Sequence, residues 1–249
     1  MIRVLQTVSA AYPTNSTVPA LLPRSDGQIR LQLAKLLNVS GSSSDLGIFR
    51  NISSAPKFVG GIVGTTLTDS TAAIAGGAST QILSTSNNDG FLVGCNEAFG
   101  LVGFTVSQAE SGSPVYTYKY WNGASFATLN TQVVPTSYAT SPEQLIIFMP
   151  PIDWVKGGAI TSVTGIDQNK FHIYVKATTG PGTAVKVSKM WIGEMIDYAA
   201  AVANNGSLEW KVSATNLAKL FESGDGLLPF FGVAGVKNSV FAQYLAQDS

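Results

Sequence analysis

The side chains that could carry out chemistry are few in this 249-residue chain. His172 is the single histidine and Cys95 the single cysteine. A Ser-His-Asp site would therefore have to use His172, and a cysteine-based metal cage cannot form. The Gly-x-Ser-x-Gly motif that presents a nucleophilic serine on a strand-to-helix turn does not occur. We expect His172 to be a hydrogen-bonded strand residue and not a catalytic base.

Acidic and glycine-rich segments offer weaker possibilities. Asp89 stands beside Asn87, Asn88 and Glu97, but the Asp-x-Asp-x-Asp-Gly spacing of a calcium loop is absent, so we interpret this cluster as a turn. A glycosidase needs two acids that face each other across a cleft, and sequence alone cannot pair the available ones. These are Glu97, Glu110, Asp153, Glu194 and Asp197. Residues 60–64 (GGIVG) lack the Gly-Lys-Ser/Thr of a phosphate loop and are predicted to be strand. We expect no catalytic residue, no bound metal and no cofactor.

The composition favours a protein that works in an assembly. Charged residues make up only 12% of the chain, about half the usual share, and the formal net charge is zero. Near-zero net charge favours association, and without a basic excess a nucleic-acid partner is disfavoured. The sequence contains no run of 18 apolar residues, so it predicts no membrane-spanning helix. The first residues make a poor signal peptide and the lone cysteine fits folding in a reducing cytoplasm.

The middle of the chain has the pattern of β-strands. In residues 115–121 (VYTYKYW), Tyr116, Tyr118 and Tyr120 share one face of the predicted strand, with Thr117, Lys119 and Trp121 on the other. Asn122 and Gly123 then predict a type I′ hairpin turn, because both positions of that turn need positive φ. Residues 145–149 form a continuous apolar run that predicts a strand buried on both faces, ended by Pro150 and Pro151.

Further strands are predicted at intervals of 10 to 15 residues. They lie at residues 58–67, 71–84, 91–95, 101–107, 125–129, 171–178 and 184–193, with a loop at about 156–168. This spacing is typical of an all-β protein, and we expect an antiparallel β-sandwich or jelly roll over residues 56–197.

Both ends differ from this body. Residues 1–55 hold three prolines and few aromatic residues, and we interpret them as an extended N-terminal arm; an ordinary first pair of strands is the alternative. Residues 28–38 fit a helix face and strand alternation equally well. Residues 198–249 are predicted to be a short α/β C-terminal docking segment. It would consist of a linker at 198–203, a strand at 207–212 and helices at 214–222 and 239–246.

The aromatic residues have two interpretations. A row of exposed rings could stack on sugars, or one face could fill the core while the other lies at a subunit contact. We favour the second interpretation. The residues concerned are Tyr116, Tyr118, Tyr120, Trp121, Phe126 and Trp154.

Three segments resemble a pattern found in bacteriophage virion proteins. The first match consists of Tyr120, Trp121, Asn122, Gly123 and Leu129, the second of Phe148, Pro150, Pro151, Asp153 and Trp154, and the third of Phe171, Ile173, Val175 and Thr178. The chain departs from the pattern at Phe126, where tryptophan is usual, and at Lys176, where arginine is common. The resemblance covers about residues 90–195.

The resemblance implies a β-sandwich of a capsid decoration (cement) protein, a tail protein or a fibre. We expect a decoration protein on the capsid surface, made in the host bacterial cytoplasm, a homotrimer bound to the major capsid protein without nucleic acid or membrane. A tail or fibre module that binds host carbohydrate is the alternative, and an enzyme such as a depolymerase is disfavoured. We expect structural roles for the motif residues, with Trp154 covering one end of the sandwich and Asp153 accepting backbone N–H bonds.

Overall fold

The computed structural model describes residues 3–12, 20–21, 29–40, 44–140, 144–202, 207–211, 226–230 and 237–247. Side-chain surroundings are described for residues 55–132, 134–140 and 144–194. Backbone contacts divide the chain into two units, one of residues 54–192 and one that combines residues 1–53 with 193–249.

The described elements are strands apart from one short helix. In chain order they are β1 (Arg3–Tyr12), β2 (Ala20–Leu21), β3 (Ile29–Ser40), β4 (Ser44–Ser54), β5 (Phe58–Val63), β6 (Thr66–Asp69), α1 (Thr71–Ala75), β7 (Thr80–Leu83), β8 (Gly90–Cys95), β9 (Leu101–Gln108), β10 (Val115–Trp121), β11 (Phe126–Thr128), β12 (Thr131–Val133), β13 (Gln144–Phe148), β14 (Phe171–Thr179), β15 (Val185–Val202), β16 (Ser207–Lys211), β17 (Gly226–Phe230) and β18 (Lys237–Gln247).

The unit built from the two chain ends contains a four-stranded sheet in the order β1-β18-β3-β16. The prediction of a helix at residues 239–246 is wrong, because this segment belongs to β18. β18 pairs antiparallel with β1 on one side and β3 on the other, so its backbone groups are hydrogen-bonded along both edges. That pairing outweighs a local pattern that suits a helix. Of residues 28–38, ambiguous in sequence, the described residues 29–38 form most of β3.

Two further predictions concern the C-terminal segment. The linker predicted at residues 198–203 is wrong, because β15 continues to Val202 and lies next to β4 in the sheet order. Alanine has low strand propensity, but pairing with a neighbouring strand overrides it. The helix predicted at residues 214–222 lies outside the described residues. The division into an N-terminal arm and a docking segment stays a prediction.

Residues 54–192 form an antiparallel β-sandwich, and the predicted all-β fold class is confirmed. One sheet has six strands in the order β11-β10-β14-β8-β5-β6. The facing sheet contains β12, β13, β9 and β15 in that order, with β7 also paired to β15. The predicted strands at 91–95, 101–107 and 171–178 correspond to β8, β9 and β14, whereas the single strand predicted at 58–67 is divided into β5 and β6 by a turn at residues 64–65.

The main core lies between these two sheets. Phe91 on β8 meets Phe104 on β9 edge to face, with ring centroids 6.2 Å apart. Tyr116, Tyr118 and Tyr120 face this core together, which confirms the face predicted from their alternation. In β13 both alternating faces are buried, as the apolar run predicted. Burial of large side chains from both sheets supplies most of the driving force for folding.

A smaller apolar cluster covers the outer face of the six-stranded sheet. Leu92 and Tyr174 project to this side, opposite to their neighbours in the main core. Ile166, from the predicted loop that precedes β14, packs onto them. This loop therefore acts as a cover for the sheet, which allows strands β5, β8 and β14 to be buried on both faces.

The strand predicted over residues 71–84 is wrong in its first half. The segment TAAIA forms α1, and only Thr80–Leu83 is a strand. Alanine favours helix, and Asp69 accepts bonds from the Thr71 backbone N–H (2.9 Å) and hydroxyl (2.6 Å) just before the helix. The buried Ile74 anchors the turn to the core.

Candidate functional site

His172 lies on β14 and is fully buried. Its Nδ1 is 2.9 Å from the carbonyl of Gly157, so Nδ1 carries the proton and donates, and Nε2 has no hydrogen-bond partner. Burial lowers the pKa of His172 below its usual value. A neutral, enclosed imidazole bound to a backbone carbonyl fits the predicted strand role.

Asp89 is used in hydrogen bonds that hold two loops. Asp89 is buried and accepts bonds from the Gly64 N–H (2.7 Å) and the Ser84 hydroxyl. Asn87 accepts the Gly180 N–H at 2.8 Å, so the predicted turn also ties to the start of another loop. Within the residues described, no group of three or more His, Cys, Asp or Glu side chains could hold a metal ion.

The glycine-rich residues 60–64 lie in β5 and the turn that follows it, as predicted. Gly60 faces Leu67 so closely that a β-carbon would lie 2.6 Å from the leucine side chain. Glycine at this position lets the side chains of Leu67 and Phe58 approach the strand, which accounts for it without phosphate binding.

The end of β10 and the segment that follows β13, which carry the first two matches of the resemblance, meet at one end of the sandwich. We call residues 149–158, which follow β13, the corner. The Trp154 N–H donates to the Pro151 carbonyl at 3.3 Å, which closes a four-residue turn with Ile152 and Asp153 at its tip. The preceding Pro150 has no N–H to extend the sheet.

Trp154 anchors the corner in the main core. Its ring packs against Phe99, Phe148 and Phe171 with centroid distances of 5.1, 5.8 and 5.5 Å. Its indole Nε1–H donates to the carbonyl of His172 at 3.2 Å. A buried indole with its single donor satisfied is a strong structural anchor, and the turn at Pro151 brings it back over the end of the sheets.

Two hydrogen bonds tie the corner to the end of β10. The Tyr120 hydroxyl donates to the Asp153 carboxylate at 2.8 Å, and the Val155 N–H donates to the Trp121 carbonyl at 3.2 Å. The carboxylate raises the pKa of Tyr120. We expected Asp153 to accept backbone N–H bonds, but the bond that the structure gives it comes from a side chain. The position of Asp153 at the turn tip brings its carboxylate within hydrogen-bond distance of the Tyr120 hydroxyl.

The hairpin loop beside the corner is longer than predicted. Trp121 pairs with Phe126, so four residues separate the strands, and of Asn122 and Gly123 only the glycine has positive φ, at 95°. The type I′ turn is therefore wrong. The Asn122 Oδ1 accepts the N–H groups of Ala124 (3.0 Å) and Ser125 (2.9 Å), and these bonds take over the role of the tight turn.

Hydrogen bonds outside the motifs connect the end of the corner to the loop that precedes β14. Gln168 donates from Nε2 to the carbonyls of Gly158 and Ile166, both at 2.9 Å. The Gly157 N–H donates to the Lys170 carbonyl at 2.8 Å. Gly157 has φ of 119°, which only glycine adopts readily. The Gly157-Gly158 pair is the sequence signal for this arrangement, although by itself it predicts only the start of a loop.

The aromatic side chains do not form an exposed row. Trp121 and Trp154 are buried, at 9% and 6% exposure. Tyr116 packs edge to face on the fully buried Tyr138 and donates its hydroxyl to Glu110. Burial raises the pKa of Tyr118 to about 12. This arrangement bears out the interpretation of the tyrosine face as core.

Apolar side chains project outward from the corner instead. Ile152 at the turn tip is fully exposed, and Met149 and Val155 are 45% and 42% exposed. Val155 approaches the hairpin loop, where a β-carbon on Gly123 would lie 3.3 Å from it. The corner thus exposes three apolar side chains together with the charged Asp153 and Lys156, and a buried tryptophan anchors it on the inside.

Comparisons of the chain with protein-family models, with curated proteins and with solved structures find no match. The resemblance to phage virion proteins therefore stays a prediction. Among the residues that the structure describes, no helix has the length and apolar character needed to cross a membrane.

Proposed function

We propose that this chain is a structural protein of a bacteriophage virion, and that it acts as a homotrimeric decoration protein which bridges capsid subunits and stabilises the head. The observation that carries the proposal is the corner. Its motif residues are used to build a rigid projection through Trp154 and the Tyr120–Asp153 bond. A preorganised surface loses little conformational entropy on binding, which suits permanent assembly.

The outer side of the corner supports a contact with another protein. A fully exposed Ile152, with Met149 and Val155 beside it, presents apolar surface at a point held by hydrogen bonds. The low charge of the chain agrees, because the centres of protein interfaces are depleted in charged residues. The partner in this proposal is the major capsid protein.

A carbohydrate-binding tail or fibre module is less well supported. Such a site needs exposed rings on which a sugar can stack, and Trp121 and Trp154 are both buried. An enzymatic role is also less well supported, because the sole histidine is enclosed and bound to a backbone carbonyl. These observations favour the decoration role over both alternatives.

The test is to mix the purified protein with expanded phage heads that lack it. We expect saturable binding and a rise in the temperature at which the heads release their DNA. Ile152→Ser should weaken binding without loss of fold, because the side chain is fully exposed. Val63→Ser is the matched control, since Val63 is an exposed apolar residue outside the corner, on β5. Absence of saturable binding would count against the proposal. If Ile152→Ser and Val63→Ser weakened binding equally, the corner would not be the surface that contacts the capsid.

A further inference from the structure

The buried ring of His172 has a hydrogen-bond acceptor for a proton on one ring nitrogen and none for a proton on the other. Nδ1 donates to the Gly157 carbonyl, while Nε2 is buried without a hydrogen-bond partner. Gly94 lies directly against this nitrogen, so that a β-carbon there would be 2.8 Å from Nε2. The Phe58 ring stands edge-on at a centroid distance of 5.5 Å. A proton added at Nε2 would therefore create a buried charged donor with no acceptor.

The charged groups near His172 do not compensate for that cost. Asp167 favours the protonated ring and Lys170 opposes it, and the two form an ion pair with each other at 3.3 Å. Burial is the largest influence, and it lowers the pKa of His172. The ring also contacts the Gly157 carbonyl and the uncharged surfaces of Phe58 and Gly94.

His172 is also connected to the corner in two ways. Its side chain binds Gly157 and its backbone carbonyl accepts the indole N–H of Trp154. β14 is paired with β10 on one side and β8 on the other, so its backbone is held in the middle of a sheet. Residues 149–158 are outside the regular strands. Because this segment carries the carbonyl that the ring bonds, its release would remove that partner and uncover the ring.

We propose that His172 is an acid-sensitive latch: a second proton on its ring opens residues 149–158 while the sandwich stays folded. The open state binds the proton more tightly than the closed state, because the ring is then hydrated. The closed corner is fully stable above about pH 6.5, the ordinary pKa of histidine, and loses stability as the pH falls from there towards the lowered pKa of the closed state. The latch does not depend on the proposed virion role.

The experiment is amide and indole hydrogen exchange, measured by NMR on the full chain at pH 7.5, 6.5, 5.5 and 5.0. The probes are the Trp154 indole N–H and the backbone N–H groups of Val155 and Gly157. Their protection factors should fall by up to about tenfold per pH unit below pH 6.5. The internal reference is the Ala177 N–H, which donates to the Asp89 carbonyl at 2.8 Å near the other end of β14. Its protection should stay constant.

His172→Asn is the matched variant, because its amide can donate to the Gly157 carbonyl but does not titrate. We expect its corner protection to be independent of pH. Constant protection of the wild-type corner overturns the latch, and so does an equal loss at Ala177, which would indicate global unfolding. If the variant does not fold, the single histidine still gives one ring resonance in the wild-type protein. A titration midpoint at or above about pH 6.5 would overturn the proposal as well.

Discussion

Polar side chains in the described part of this protein mainly hold loops in place. Asp89 joins the turn after β5 to the end of β7 through Gly64 and Ser84, and Asn122 closes the β10–β11 loop. Asp89 is buried, and the side-chain oxygen of Asn122 accepts two N–H groups. A catalytic group would instead need access to a substrate. Glycines contribute to packing in another way, because the absence of a β-carbon lets large side chains approach the backbone.

Gly103 on β9 is the clearest case of such an approach. A β-carbon at this position would lie 2.1 Å from the Trp191 ring, which is itself buried. We expect Gly103→Ala to lower the free energy of unfolding by about 1–3 kcal/mol, the usual cost of overpacking. Urea denaturation followed by fluorescence measures this change.

Gly76→Ala provides the control for that measurement. Gly76 has φ of −80°, and a β-carbon there would meet only ordinary contacts, the nearest at 3.4 Å. We expect its stability to stay within about 0.5 kcal/mol of the wild type. Equal stability of the two variants would show that the indole moves aside at no cost.

At the scale of elements, the loop between β10 and β11 and the corner support each other. The Val155 N–H bonds the last residue of β10, and Val155 also packs near the tip of the loop. The loop has four residues and cannot form a two-residue turn. Its shape is held instead by the side chain of Asn122, which accepts two backbone N–H groups of the loop. Its stability should therefore depend on one acceptor atom.

Asn122→Ala removes that acceptor and leaves two N–H groups to water. We expect a loss of about 1 kcal/mol in the free energy of unfolding, since both donors are exposed and recover part of the bond energy from solvent. Asn122→Asp keeps the oxygen and should remain within about 0.5 kcal/mol of the wild type. Thermal denaturation of both variants tests this expectation, which fails if alanine and aspartate behave alike.

At the scale of the whole molecule, the sandwich of residues 54–192 has a core of its own. Its core includes Phe91, Phe104 and Phe148, contributed by both sheets. A unit of this size can bury enough apolar surface to fold alone. Charged residues make up only 12% of the whole chain.

We expect a fragment of residues 54–192 to fold independently, with a single cooperative transition in urea. Its amide NMR spectrum should overlay that of the same residues in the full chain away from the two cut ends. The full chain is the control, measured under identical conditions. A fragment without a cooperative transition would show that the sandwich depends on residues of the other unit.

Local alternation was enough to predict much of the fold. The shared face of Tyr116, Tyr118 and Tyr120 and the doubly buried β13 followed from a period of two, because side chains alternate along any strand regardless of its partner. The motif residues Pro150, Pro151 and Trp154 lie in one corner, and their role stays a prediction.

Tertiary structure decided the features that depend on partners distant in sequence. Residues 239–246 form a strand because β1 and β3 flank them, and the hairpin loop has four residues because Trp121 pairs with Phe126. The bond from His172 to Gly157 joins residues 15 positions apart and leaves no trace in either local pattern. Composition and alternation report what a residue prefers, whereas pairing and enclosure depend on which neighbours the rest of the chain brings to it.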